Sequence, residues 1–170
     1  MTDAAAGEVP RRHEQRVELR KEAFTMALYV AICLLAAMTA LPVSVAAHAR
    51  VVPLIWGVTV GLAVAHWFAF RVSARLVGAG RVRAPDVRST GAQLVGAAAV
   101  ALLATVPVVL LPDSAEVEGV ELLLAAFIAL VGYAVARGGG ATRVRGMLYA
   151  TSVLVVAVAI AELKNRLAGH

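Results

Sequence analysis

A chain of 170 residues that is 61% hydrophobic, with a mean hydropathy of +0.81, carries far more apolar side chain than the roughly 45–50% of a soluble domain and would lack the polar surface to stay in water. The net charge of +5 and the pI near 10.1 do not indicate a nucleic-acid binder, because the basic residues lie between apolar runs rather than on one stripe with interleaved aromatics. The single cysteine, Cys33, excludes an intrachain disulfide and any cysteine-based metal motif.

Residues 1–22 are polar and basic. They lack the short apolar region and small-residue cleavage site of a signal peptide, so the segment is expected to be retained. From Pro10, a residue suited to a first helical position, the run to Glu22 is rich in helix formers and is expected to enter the first span as helix. Arg11, Arg12, Arg16, Arg20 and Lys21 stand where they would meet anionic lipid headgroups, at about 1 kcal/mol per basic residue near the surface. Glu18, three residues before Lys21, is within ion-pair reach on a helix.

The first span is predicted over 23–41, ended by Pro42, with Thr25, Tyr29 and Cys33 four residues apart along one face. The second is predicted over 53–73, with Pro53 at its first turn, where a missing N–H costs least. Gly57, Gly61, Ala65 and Ala69 recur every four residues, a small-residue ridge that admits a second helix backbone at close range. Thr59, His66 and Ser73 recur every seven on the adjoining ridge and are expected to face the bundle rather than lipid. Trp56 suits an interfacial anchor, whereas Trp67 reads as packing.

A basic connection holding Arg81, Arg83 and Arg88, of which Arg81 and Arg83 are also expected to meet lipid headgroups, leads to the third span, 91–111, where Gln93, Ala97, Ala101 and Thr105 form another small, weakly polar seam. Its Pro107 cannot donate to the Leu103 carbonyl; a kink is expected there, with Thr105 or a neighbouring helix helping to satisfy the freed group. Asp113, Glu116 and Glu118, with Glu121 beyond, match no dedicated calcium loop and read as a solvated acidic turn. The fourth span is predicted over 120–136, with Ala125, Ala129 and Tyr133 in register. Residues 137–145 form a glycine-rich basic connection that lacks the Gly-Lys-Ser/Thr ending of a phosphate loop and is expected to be flexible. The fifth span is predicted over 146–163, leaving a short tail at 164–170.

These stretches predict an all-α integral membrane protein, a bundle of five transmembrane helices over residues 23–163. No alternation of roughly ten-residue strands supports a transmembrane barrel. Placing the N-terminus in the cytoplasm puts thirteen of the sixteen Lys and Arg residues inside and three outside, so the positive-inside rule sets the C-terminus outside. Arg outnumbers Lys fourteen to two, and Ala, Val and Gly are abundant, usage that fits a GC-rich bacterial genome and places the protein in a bacterial inner membrane.

Enzymatic activity is not expected, because an active site needs several Asp, Glu, His or Ser groups to converge. The deep parts of the spans offer His66, Gln93, a few hydroxyls and Cys33. His13, His48 and His170 lie in flanks, so no second histidine is available to pair with His66 on a metal, and neither metal nor cofactor is expected. The function expected first is that of a structural or accessory subunit, packing with itself or with a membrane partner. The alternative is a small channel or transporter for protons, ions or a small solute, with a path beside His66, Thr59, Ser73, Gln93 and Tyr29. A polar cavity reaching His66 would favour the second, since an intramembrane ionisable group must be either satisfied or used.

Overall fold

The computed structural model describes the backbone of residues 3–41, 48–77 and 84–167 and, within those stretches, the side chains of 14–41, 50–73, 75–76, 87–163 and 166–167. Among the described residues the chain is all-helical: α1 (Asp3–Thr39), α2 (His48–Val77), α3 (Ala84–Leu110), α4 (Glu116–Gly138) and α5 (Arg143–Leu167). Each contains a stretch of 21 to 26 residues long and apolar enough to cross a membrane. The predicted connection containing Arg81 and Arg83 lies outside the described residues, and the side chains of Arg11 and Arg12 are likewise not described.

The helices are longer than the apolar runs alone indicate, each for a local reason. α1 begins at Asp3 rather than Pro10, since an acidic first residue complements the helix dipole and three alanines follow it. At 37 residues it is about 55 Å long, well beyond the roughly 30 Å of a hydrocarbon core. Arg16, Arg20 and Lys21 are exposed on its N-terminal part, and Lys21 Nζ pairs with Glu18 at 3.2 Å. α2 starts at His48, so Pro53 lies inside the helix and not at its opening. α3 starts at Ala84 with Pro85 in its first turn, where proline is tolerated, and α5 continues through most of the expected tail.

The core is built around α1, which packs against every other helix and most extensively against α3. Met26, Val30, Leu34 and Met38 of α1 are buried against Ala97, Val100, Ala101, Ala104 and Val108 of α3, with Val120, Leu124 and Ile128 of α4 completing the centre. Small residues on α3 bring its backbone close to α1. A Cβ on Gly96 would collide with the carbonyl of Ala23. Thr105, which was expected to help the carbonyl freed by Pro107, instead donates to the Ala101 carbonyl at 2.7 Å.

α4 buries one straight ridge at every fourth residue: Glu116, Val120, Leu124, Ile128 and Gly132. Glu116 therefore faces inward and is fully buried, while Asp113 and Glu118 are exposed. The expected solvated acidic turn is thus divided, because the four-residue period of the helix carries Glu116 onto the same face as Val120. The α4–α5 connection is a short turn spanning Gly139 to Thr142. Gly140 takes φ +81°, a left-handed conformation that glycine adopts without steric cost, and Arg137 Nη1 donates to the Ala141 carbonyl at 2.6 Å.

α2 departs from this pattern. Val51, Ile55 and Thr59 are buried, but after Thr59 no described residue of α2 is. Only 17% of its apolar stretch is buried, against 44% for α1 and for α3. The C-terminal half of α2 stands off from the bundle, leaving clefts on its flanks.

Candidate functional site

One cleft lies where α1, α2 and α3 meet. It has a volume of about 290 Å³ and is lined by Thr25, Met26 and Tyr29 of α1, His66 of α2 and Gln93 of α3. Each helix contributes for a local reason. On α1, Glu22, Thr25 or Met26, and Tyr29 follow the spacing that lays side chains along one face. On α3, Gln93 starts the ridge whose next members, Ala97 and Ala101, are buried against α1. On α2, His66 comes after the last buried residue, so its ring lies in the gap that the standing-off helix opens.

The polar groups are partly committed to one another. Gln93 is buried, with 8% of its surface exposed, and its Nε2 donates to Glu22 Oε2 at 2.5 Å. That bond ties α1 to α3 and orients the amide, because an ionised carboxylate can only accept. The amide oxygen, Gln93 Oε1, is buried without a hydrogen-bond partner among the described residues. The Thr25 hydroxyl donates to the Lys21 carbonyl at 2.9 Å and so is spent on its own helix. Tyr29 and His66 are exposed towards the cleft; together with the Glu22–Gln93 pair they place an imidazole, a phenol, an amide and a carboxylate at one end of the bundle.

His66, Gln93 and Tyr29 thus share one site, contributed by three helices. Thr59 does not join them: it is buried two turns away on α2, and its hydroxyl donates to the Ile55 carbonyl at 2.7 Å. Ser73 is exposed near the end of α2 and lines no part of the cleft. The apolar stretch of α2 runs from Arg50 to Ser73, so His66 lies about 7 Å from its midpoint along the helix axis, towards the end that carries Arg71 and Arg75.

Sequence reasoning missed Glu22, which it assigned to the polar flank. The signal was its seven-residue spacing from Tyr29, which places the two on one face of α1. The ridge Gly57, Gly61, Ala65 and Ala69 is exposed, and a Cβ added to Gly57 or Gly61 would meet nothing within 4 Å among the described residues. No group of three or more His, Cys, Asp or Glu residues able to hold a metal occurs among the described residues. No family model, curated protein or solved structure matches the chain.

Proposed function

We infer that the chain is a non-enzymatic five-span protein of a bacterial inner membrane, N-terminus inside and C-terminus outside, that passes or binds a proton or small cation at the α1–α2–α3 cleft. The observation that carries this reading is the convergence of His66, Tyr29 and Gln93 from three helices on one cleft, with the Glu22 carboxylate bonded to Gln93 beside it. A polar side chain within an apolar stretch must be satisfied or used; of this group Gln93 is buried and bonded to Glu22, whereas His66 and Tyr29 are exposed. Here an imidazole and a phenol remain turned to an open cleft. Histidine is also the side chain whose unperturbed titration lies nearest neutral pH, which suits it to taking up and releasing a proton.

Proteoliposomes test it. Wild-type protein is expected to give a proton or cation flux above that of empty liposomes, changing with pH across the neutral range. His66→Leu should abolish it, and His66→Gln, which keeps hydrogen bonding but cannot titrate, should remove the pH dependence. Liposomes as tight as empty ones at every pH for protons, sodium and potassium would overturn the reading.

The orientation rests on the thirteen-to-three division of basic residues. Reporter fusions after Arg20, after Arg143 and within 81–83 are expected to report the cytoplasm, and fusions after Glu116 and at the C-terminus the outside. A cytoplasmic C-terminus would contradict the five-span topology.

A second reading, an accessory subunit that packs with itself or a partner, is favoured by the uncovered half of α2 with its open small-residue ridge. In membranes, Gly61→Cys in a Cys33→Ser background should form a disulfide-linked dimer if the ridge is a self-association face. A monomer under oxidising conditions would count against self-association.

A further inference from the structure

A second groove opens on another flank of the standing-off helix. It has a volume of about 340 Å³, lies between α2 and α3, and is lined by Trp67, Phe70, Arg71, Val87, Thr90, Gly91 and Leu94. An adjoining cleft of about 300 Å³ shares Trp67 and Arg71 and adds Arg75. The Arg71 guanidinium lies over the Trp67 ring, 5.1 Å from its centroid. Stacking of this kind holds an arginine in place without neutralising it. Neither Arg71 nor Arg75 forms an ion pair with a carboxylate among the described residues.

The geometry points to an anionic phospholipid as the occupant of this groove, its phosphate on Arg71 and Arg75 and an acyl chain along Trp67, Phe70 and Leu94. This inference rests on the membrane reading above and is independent of the His66 cleft. Three features select this ligand. Arg71 and Arg75 are four residues apart on one face of α2 and present two cationic groups together, matching a phosphate. They stand at the end of the apolar stretch that closes at Ser73, the level at which headgroups lie and at which tryptophan is enriched. The walls below them are apolar and aromatic, which suits a hydrocarbon chain and not a soluble phosphate. Trp67, expected from the sequence to be packing, is 41% exposed and forms part of the wall between the two openings.

The test uses the full chain with Trp56→Phe, which leaves Trp67 as the single reporter of the two tryptophans, in nanodiscs containing a low fraction of brominated phosphatidylglycerol or brominated phosphatidylcholine with the same acyl chains. The glycerol lipid is expected to quench Trp67 at a lower mole fraction than the choline lipid. Arg71→Gln should reduce that preference about fivefold, the attraction of one basic residue near an anionic surface, and Arg71→Gln with Arg75→Gln should remove it. Leu94→Trp in the same background would confound the reporter, so Leu94→Arg is the variant that blocks the chain path. It should lower quenching by both lipids, with helix content checked by circular dichroism. Equal quenching by the two headgroups, or a preference unchanged by the double arginine variant, would overturn the site while leaving membrane insertion intact. Absence of quenching by either lipid would overturn the membrane reading itself. Displacement of the brominated lipid by glycerol phosphate in the buffer would assign the arginines to a soluble phosphate and overturn the lipid assignment.

Discussion

Gly96→Ala is expected to destabilise the isolated protein in detergent by more than about 2 kcal/mol, at the upper part of the range for overpacking a core. The added methyl would collide with the carbonyl of Ala23, a backbone atom that no rotamer change can move aside. Accommodating it means separating α1 from α3, the most extensive contact in the bundle, and losing the close approach of Ala97, Ala101 and Ala104 to α1 as well. Between helices in a membrane, close van der Waals contact is the chief source of association energy. Gly57→Ala and Gly61→Ala provide the contrast. A Cβ at either position meets nothing within 4 Å, so each should leave stability unchanged or raise it by about 0.5–1 kcal/mol through the better helix propensity of alanine. Thermal unfolding of the three variants in one detergent measures the difference. A Gly96→Ala protein as stable as wild type would mean that the α1–α3 contact is looser than described.

Breaking the Glu22–Gln93 bond is expected to cost about 1.5–3 kcal/mol, the value of a hydrogen bond to a charged group. It joins the two most buried helices at the edge of the cleft. Gln93→Leu removes the donor and leaves the Glu22 carboxylate without its amide. Glu22→Leu removes the acceptor and leaves both ends of the buried Gln93 amide unsatisfied, since Oε1 already has no partner among the described residues. The double variant leaves neither group, so it should be markedly more stable than the sum of the two single losses. Glu22→Gln keeps an acceptor and should lose less than Glu22→Leu. Additive losses in this cycle would mean that the two side chains act independently.

What could be read before the tertiary structure, and what could not, divides along the same residues. Helix class and the number of long apolar helices follow from hydropathy summed along the chain, a one-dimensional property that does not depend on neighbours. The helix ends lie further out because Asp3, His48 and Ala84 start helices beside the charged or polar residues Glu8, Arg50 and Asp86, where the apolar run is interrupted and hydropathy does not mark a helix end. Gln93, His66 and Tyr29 were legible as candidates because polar groups stand out on apolar helices. Glu22 was not, because its local sequence is a polar flank. In particular, the sequence presented Gly57 and Gly61 and the seam of Ala97 and Ala101 as equivalent surfaces, yet one is open and the other packs against α1.

Sequence alone therefore determined the five long apolar helices, the uneven spread of basic charge and the few polar side chains within the apolar stretches. The tertiary structure decided which apolar faces meet, that α2 stands off after Thr59, and that three of the polar residues share a cleft. The reason is physical: in a water-soluble helix the polar face marks the outside, whereas a helix suited to hydrocarbon is apolar all round and its pattern does not distinguish lipid from protein. The choice then falls to the fit of one helix surface against another, at Gly96 against Ala23 and not at Gly57 or Gly61, and that fit depends on residues far apart in the chain.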